Sequence, residues 1–235
     1  MYMGTLYIVS TPIGNLDDIT VRALQTLFTV NAIACEDTRV TGQLLELLKH
    51  KFGSLLASDT KPTFISYRDT NEETVVPELM KRLESGESIA IVSDAGTPLI
   101  SDPGYKILHA AIAHEVEIEV IPGVSAFLTA LTGSGLPANT FTFLGYLPEK
   151  PGKRITLLTS IREVRKNIAS TYVFYVAPHK FIQTLDDMEE VFGDILLVVA
   201  RELTKLHEEF WRGSVSQARE HFQNPKGEFV LLFSF

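Results

Sequence analysis

Residues 93–105 read SDAGTPLISDPGY, directly after the apolar run SIAIV (88–92). Two aspartates, two glycines and two prolines share those thirteen positions. Glycine reaches backbone conformations that other residues avoid, and proline fixes φ and removes a donor. Their density at a strand end has two readings: a tight turn, or a loop whose backbone lies against a ligand. The surrounding pattern decides between them.

Short apolar runs alternate with amphipathic segments around that stretch. TLYIVST (5–11), NAIACED (31–37), PTFISY (62–67), SIAIVSD (88–94) and EIEVIPG (117–123) read as strands. Helices are expected at 19–30, 41–52, from the TNEE capping box (70–73) through LMKRLESG, from Pro103 onward, and at 125–135. Such alternation implies a largely parallel sheet with helices on both faces. The turn-rich GSGLPANT (133–140) marks a boundary. Beyond it, strands are expected at 141–148, 170–178, 194–203, 207–213 and 227–235, with helices at 179–193 and over VSQAREHF. The fold class is therefore α/β, with an N-terminal domain over 1–138 and a C-terminal domain over 139–235.

The chain has 235 residues, 45% hydrophobic and 21% charged, as in an ordinary soluble globular protein. Its longest apolar stretches, such as ILLVVA (195–200), are too short to span a bilayer, and MYMGTLYIVS lacks the features of a signal peptide. A single cysteine, Cys35, allows no internal disulfide and suits a reducing cytoplasm. The net charge of −8 argues against a general electrostatic grip on nucleic acid. Residues 1–139 carry nine Lys/Arg against seventeen Asp/Glu, whereas 140–235 carry twelve of each. Within the second half, KPGKRITLLTSIREVRK (150–166) holds six basic residues and one acidic, either a phosphate-facing patch or a solvated helix face.

Several common chemistries are excluded. The first strand ends in STPIGNLDD (10–18), where a Rossmann dinucleotide site needs G-x-G-x-x-G. No Walker loop and no H-E-x-x-H spacing occurs, so nucleotide hydrolysis and a metal site have no support. Special turns remain at successive strand ends: TPIGN (11–15), EDTR (36–39), SDAGTP (93–98), SDPG (101–104) and IPGVSA (121–126). In an open parallel sheet those ends face one crevice, where ligands bind. Gly96, Gly104 and Gly123 would let backbone approach a small molecule, and N–H groups at Ser125 and Ala126 would meet an anion.

LYIVSTPIGNLDDIT, CEDTRVTGQLL, SDAGTPLISDPGY, IPGVSA, GYLPEKPGKR and ARELTKLHEE resemble the ribosomal RNA small subunit methyltransferase I family, within the tetrapyrrole methylase superfamily. The resemblance runs from about Leu6 to Phe233. It implies a two-domain, non-Rossmann fold with S-adenosylmethionine held in a cleft between the domains. It also implies methyl transfer to the ribose 2′-hydroxyl of a decoding-region cytidine in 16S ribosomal RNA, with the small ribosomal subunit as partner, no metal and a homodimeric enzyme. The cofactor contacts it implies are Pro12, Gly14, Asp94, Ala95, Gly96, Thr97, Ser125 and Ala126 from the first domain, with Tyr175 and Ala200 from the second. Asp94 suits either the cofactor's ammonium and ribose hydroxyls or a cap, and Asp102 either a cap or a catalytic group.

A ribose hydroxyl is a weak nucleophile and must lose its proton during attack, so an oriented base is expected. Glu36 and Glu202 are the base candidates. Arg39, Lys153, Arg154, Lys180, Arg201 and Lys205 are the candidates for RNA phosphate; a structural ion pair is the alternative for Arg39, Arg201 and Lys205, and a solvated helix face for Lys153 and Arg154. The sequence departs from many relatives at Arg68, Thr70, Val176 and Lys180, in segments near the expected RNA path. His179 suits proton transfer or a helix start. Two other readings stay open: methylation of a tetrapyrrole or a protein side chain on the same fold, and a cofactor-binding protein without catalysis.

Overall fold

The computed structural model describes residues 3–56, 61–164 and 168–235. Part of the loop expected over 53–61, and Arg165 and Lys166 at the end of the basic segment, lie outside the described residues. The chain divides into two compact units, Met1–Ser125 and Ala126–Phe235.

The first unit is a five-stranded sheet in the order β3-β2-β4-β1-β5, formed by β1 (Thr5–Val9), β2 (Ala32–Cys35), β3 (Thr63–Ser66), β4 (Ile89–Ile91) and β5 (Glu117–Ile121). Every pairing in it is parallel. Four helices connect the strands: α1 (Val21–Leu27), α2 (Thr38–Phe52), α3 (Glu72–Glu84) and α4 (Tyr105–Ala113). Alternation along each strand supplies both faces with apolar side chains. Leu6, Ile8, Ala32, Ala34, Ile89 and Ile91 pack with Leu79, Leu83 and Ile107 of α3 and α4. Val9, Ile33, Cys35, Ala90 and Val92 pack with Leu24, Leu27, Leu45 and Leu48 of α1 and α2. The expected parallel sheet with two covered faces is present.

Local capping departs from expectation in three places. Asp37 caps α2 by accepting the Arg39 N–H at 2.9 Å, so that helix starts at Thr38 and not at residue 41. The Thr70/Glu73 capping box does not form. Asn71 precedes α3 instead, and its side chain takes the Arg68 N–H at 2.7 Å and donates to the Ser66 carbonyl at 3.0 Å. Pro103 lies before α4, whose cap is Gly104, and Asp102 makes no cap bond.

The second unit holds α5 (Ala126–Ser134), α6 (Pro151–Val164), α7 (Phe181–Phe192) and α8 (Val215–His221) with a mixed sheet in the order β6-β7-β10-β8-β9. Its strands are β6 (Phe141–Tyr146), β7 (Thr171–Val176), β8 (Leu196–Arg201), β9 (Glu209–Ser214) and β10 (Phe229–Ser234). Only β6 and β7 run parallel; the other pairings are antiparallel. One face packs Phe174, Leu231 and Phe233 with Leu158, Phe181, Leu185, Met188 and Val215 of α6, α7 and α8.

α5 lies on β7, β8 and β10. The Arg212 guanidinium donates to the Gly133 and Ser134 carbonyls at the end of α5, at 2.6 and 2.9 Å. The units therefore divide at 125/126, ahead of the 138/139 boundary that composition suggests. A helix read as closing the first alternation packs with the second sheet, and no local signal records which sheet a helix covers.

Candidate active site

The strand order places four of the special turns side by side at one edge of the first sheet. EDTR follows β2, SDAGTP follows β4, TPIGN follows β1 and IPGVSA follows β5, and these strands are consecutive neighbours. The loops are bonded to one another. Thr11 and Gly96 exchange backbone hydrogen bonds of 2.8 and 3.1 Å. The Ser10 hydroxyl donates to Thr97 Oγ1 at 3.2 Å, and Thr97 donates to the Val124 carbonyl at 3.1 Å. Thr11 Oγ1 reaches the Ser93 carbonyl at 3.3 Å.

This stitching changes the role of the glycines. Gly96 adopts φ +90° to pair with Thr11, and its hydrogen faces Ile13. A Cβ on Gly123 would lie 2.8 Å from Ser10 Cβ, and one on Gly104 would lie 2.9 Å from Leu99 Cγ. At these three glycines the side of the backbone where a Cβ would stand is already filled by neighbouring protein atoms. Gly104 has φ +138°, and its N–H points to buried Glu72 Oε1 at 3.4 Å, which also accepts the Tyr67 hydroxyl at 2.7 Å. Gly104→Ala is expected to cost about 1–3 kcal/mol from the backbone and the clash with Leu99. Urea unfolding checks this, and an unchanged midpoint would show that the loop adapts.

Leu99 and Ser101 in the same stretch have φ of 69° and 66°, and Glu202 and Thr204 in ARELTK have 49° and 65°. These are four of the five non-glycine left-handed residues among the described residues. Strained backbone of this kind persists where surrounding structure over-determines it, often at ligand clamps.

Carboxylates concentrate at the ends of β2 and β4. Glu36 is half-buried and takes the Asp94 N–H; burial first, then the Asp102 and Asp94 charges, push its carboxyl up to about 7. Burial also raises Asp102 to about 6, helped by Asp94 and Asp69 and opposed by the Ser93 hydroxyl. Asp94 Oδ1 accepts the Asp37 N–H at 3.2 Å, locking the ends of β4 and β2 together. The Arg68 Nε donates to the Glu36 carbonyl at 2.8 Å. Glu36 is thus held by its backbone while its carboxyl titrates near neutrality, as a general base requires.

Glu202 does not share that environment. Burial pushes its carboxyl up, but the Glu228 N–H, the Lys205 ammonium and the Arg201 charge outweigh this and hold it below its usual range. Its Oε1 accepts from Glu228 N at 2.9 Å and from Lys205 Nζ at 3.1 Å. Glu202 staples a loop and makes a weak base, which removes it from the pair of candidates.

Residues 5–219 match the tetrapyrrole (corrin/porphyrin) methylases. The ribosomal RNA small subunit methyltransferase I of Synechocystis sp. is 45% identical over 235 residues, covering 99% of this chain and 79% of that protein. The Thermotoga maritima protein of the same name is 42% identical over 99% of both chains. This chain belongs to that methyltransferase family. Among solved structures, a diphthine synthase superposes with a TM-score of 0.70 at 16% identity, over 98% of this chain and 90% of its own. A uroporphyrin-III C-methyltransferase from Thermus thermophilus, complexed with S-adenosylhomocysteine, superposes with 0.62 at 16% identity over 97% of both. Those two likenesses show the fold.

The positions that the sequence resemblance assigns to the cofactor divide by exposure. Gly14, Asp94 and Ala95 are exposed at neighbouring strand ends, and Ser125 and Ala126 are half-buried at the start of α5. Pro12 and Gly96 are buried, and the Thr97 hydroxyl is committed to Val124. In the second unit, Tyr175 is half-buried on β7, whereas Ala200 has no exposed surface between Val230 and Phe210.

Several residues of the expected RNA surface are internally neutralised. Arg154 is buried and pairs with Asp187 through Nε, while its NH1 donates to the Pro148 and Glu149 carbonyls at 3.1 and 3.2 Å. Arg201 pairs with Glu209 at 2.8 Å and lies over the Phe222 ring. Lys205 bridges Glu202 and Glu228 at 3.1 and 3.0 Å. Arg154 is a correction to the sequence reading, and Arg201 and Lys205 take the structural alternative. Arg39 is exposed but forms a two-pronged pair with Asp37 at the start of α2. Lys153 is exposed on α6, Lys180 is half-exposed before α7, and His179 is exposed beside it.

Of the departures from relatives, Val176 fills the core of the second unit and Thr70 is exposed. Sequence reasoning missed the structural use of Glu72 and the acid environment of Asp102. The SDPG turn suggested a cap for Asp102, and only its Ser93 and Glu36 neighbours show otherwise.

No helix among the described residues is long and apolar enough to cross a membrane. Among those residues no group of three His, Cys, Asp or Glu has the arrangement to hold a metal ion.

Proposed function

We propose that this methyltransferase moves a methyl group from S-adenosylmethionine to the ribose 2′-hydroxyl of a cytidine in the decoding region of 16S ribosomal RNA, acting as a cytoplasmic homodimer. Near-full-length identity of 45% to a ribosomal RNA small subunit methyltransferase I supports the reaction class and the RNA. The observation that carries the oxygen acceptor is Glu36, a half-buried carboxyl with its pKa near 7 at the end of β2. A nucleophilic carbon on an activated ring has less need of such a base; a hydroxyl has to shed a proton.

The residues present fit a cationic cofactor. Glu36, Asp94 and Asp102 gather negative potential at one sheet edge, which favours a positively charged ligand. Asp94 would take the cofactor's ammonium or ribose hydroxyls, and Ser125 with the Ala126 N–H would take its carboxylate. Gly14 and Ala95 complete the first unit's set with surface to offer. The cofactor, when bound, supplies an electrophilic methyl on a sulfonium. Glu36 accepts the hydroxyl proton as attack proceeds, and Asp102 tunes its basicity through its charge. Arg68 fixes the Glu36 backbone so that the carboxyl holds its direction.

Label from a methyl-labelled donor should appear on small ribosomal subunits isolated from a strain lacking this modification. Alkali-resistant label on a cytidine ribose is the expected result; label on a base, a tetrapyrrole or a protein overturns the reading. Lys153→Ala should raise the KM for subunits several-fold and flatten the salt dependence by about one unit, with cofactor affinity unchanged. Equal loss of both affinities would give Lys153 a structural role. Sedimentation equilibrium showing only monomer would overturn the dimer.

A further inference from the structure

One aromatic cluster of the second unit includes the expected cofactor contact Tyr175 and extends well beyond it. Phe127 of α5 stacks on Phe143 of β6, with ring centroids 4.4 Å apart and planes at 24°. Phe143 meets Tyr175 of β7 edge-on at 5.1 Å, and Tyr175 meets Tyr146 at 5.4 Å. Tyr146, at the last position of β6, is 62% exposed. A run of packed aromatic rings that reaches the surface is a contiguous apolar feature of the kind that marks binding surfaces.

The placement of Tyr146 depends on a bulge. Simple alternation puts residues 143 and 146 on opposite faces of a strand, because they are three apart. Here the register shifts between them: Phe143 pairs with Val173 and Tyr146 with Tyr175, so β6 carries one extra residue. Gly145 absorbs the irregularity at φ +60°. The extra residue brings Tyr146 onto the same face as Phe143 and Tyr175, and bulges commonly re-aim a side chain beside a working site.

The chain beyond Tyr146 is pinned. Buried Arg154 donates to the Pro148 and Glu149 carbonyls, which fixes residues 147–150 between β6 and α6. That loop and the first turn of α6 present Lys150 and Lys153, both exposed and without an ion pair among the described residues. An exposed ring on a buttressed platform, with two cations four and seven residues on, matches what single-stranded RNA requires. Bases stack on aromatic faces while lysines meet phosphate.

We infer that Tyr146 is a stacking platform for an unpaired base of the acceptor RNA, with Lys150 and Lys153 holding the adjoining phosphates. The inference rests on the reading that the acceptor is RNA and adds a residue that selects it. Single-stranded structure is required, since a base within a duplex offers no free face.

The test uses full-length protein carrying Tyr146→Ala or Tyr146→Phe, with three readouts: methyl transfer to modification-free small subunits, cofactor affinity, and binding of a fluorescein-labelled single-stranded RNA or the same RNA annealed to its complement. Tyr146→Ala should raise the subunit KM and weaken single-strand binding by about 5–150-fold, the range for loss of one stacked base. Cofactor affinity should not change, Tyr146→Phe should retain binding within about threefold, and wild type should prefer the single strand. Unchanged subunit KM and single-strand binding in Tyr146→Ala would overturn the inference, as would a parallel loss of cofactor affinity. Failure of the RNA-acceptor reading is seen separately, as wild-type protein that transfers no methyl to subunits and binds neither RNA.

Discussion

Glu36→Gln is expected to lower kcat about 10²–10³-fold, the usual contribution of a positioned base, while leaving the KM for cofactor and subunits within a few-fold. Glutamine keeps the shape and the bond to the Asp94 N–H but cannot accept the hydroxyl proton. In the unmodified enzyme the rate should rise with pH through about 7, because the base works only when ionised and its pKa lies there. Asp102→Asn should move that limb to lower pH, since it removes a like charge that raises Glu36. Stability gives an independent check. The folded carboxyl titrates near 7 and the unfolded one near 4.5, so Glu36 opposes folding increasingly above pH 4.5 and fully above pH 7. Glu36→Gln should therefore stabilise the protein at pH 8, by about 1 kcal/mol after screening of a half-exposed group, and hardly at pH 4.5. A variant that keeps kcat within threefold of the parent would remove Glu36 from the mechanism.

Asp187→Ala or Arg154→Ala is expected to cost about 3–5 kcal/mol, the penalty for leaving one member of a buried ion pair unpaired. Arg154 is 1% exposed and Asp187 7% exposed, so neither recovers solvent when its partner is lost. Arg154→Ala should also loosen the loop between β6 and α6, because the Pro148 and Glu149 carbonyls lose their donor. The double replacement Arg154→Met with Asp187→Leu should recover much of the stability yet leave the loop unanchored. Urea unfolding measures the first effect, and the subunit KM of the double variant measures the second. A loss below about 1 kcal/mol for both single variants would show that the pair is not the anchor described.

The first sheet was legible because its signal is local. Each βα unit announces itself by a short apolar run, a glycine- or proline-rich turn and an amphipathic helix. The turns stood out by composition: four of them follow strands, and SDPG shares the β4–α4 connection with SDAGTP. Their order across the sheet was not legible: strand pairing is long-range, and it is the contiguous run β2-β4-β1 that brings EDTR beside SDAGTP and SDAGTP beside TPIGN. The glycines stood out by composition, but that Ser10 and Leu99 pack against Gly123 and Gly104 was visible only in the fold.

Charge was the least legible property of the site. Arg154 and Lys153 are adjacent in the sequence and equal in formal charge, yet one is buried in a pair with Asp187 and the other is exposed. Successive helical positions point about 100° apart, so neighbours in sequence meet different surroundings. Glu36 and Glu202 likewise read alike as acids in charged turns. Burial among carboxylates raises the first, whereas a backbone N–H and two cations lower the second.

By itself the sequence determined the fold class, the family and the positions of the strand-end loops, because these follow from periodicity and from long contiguous motifs. Tertiary structure alone decided which sheet α5 covers, which cations face solvent, which of the Glu36 and Glu202 carboxyls is raised and which lowered, and that Tyr146 shares a face with Phe143. Each of those depends on distant residues meeting in space, and on the dielectric and hydrogen bonds that their meeting creates.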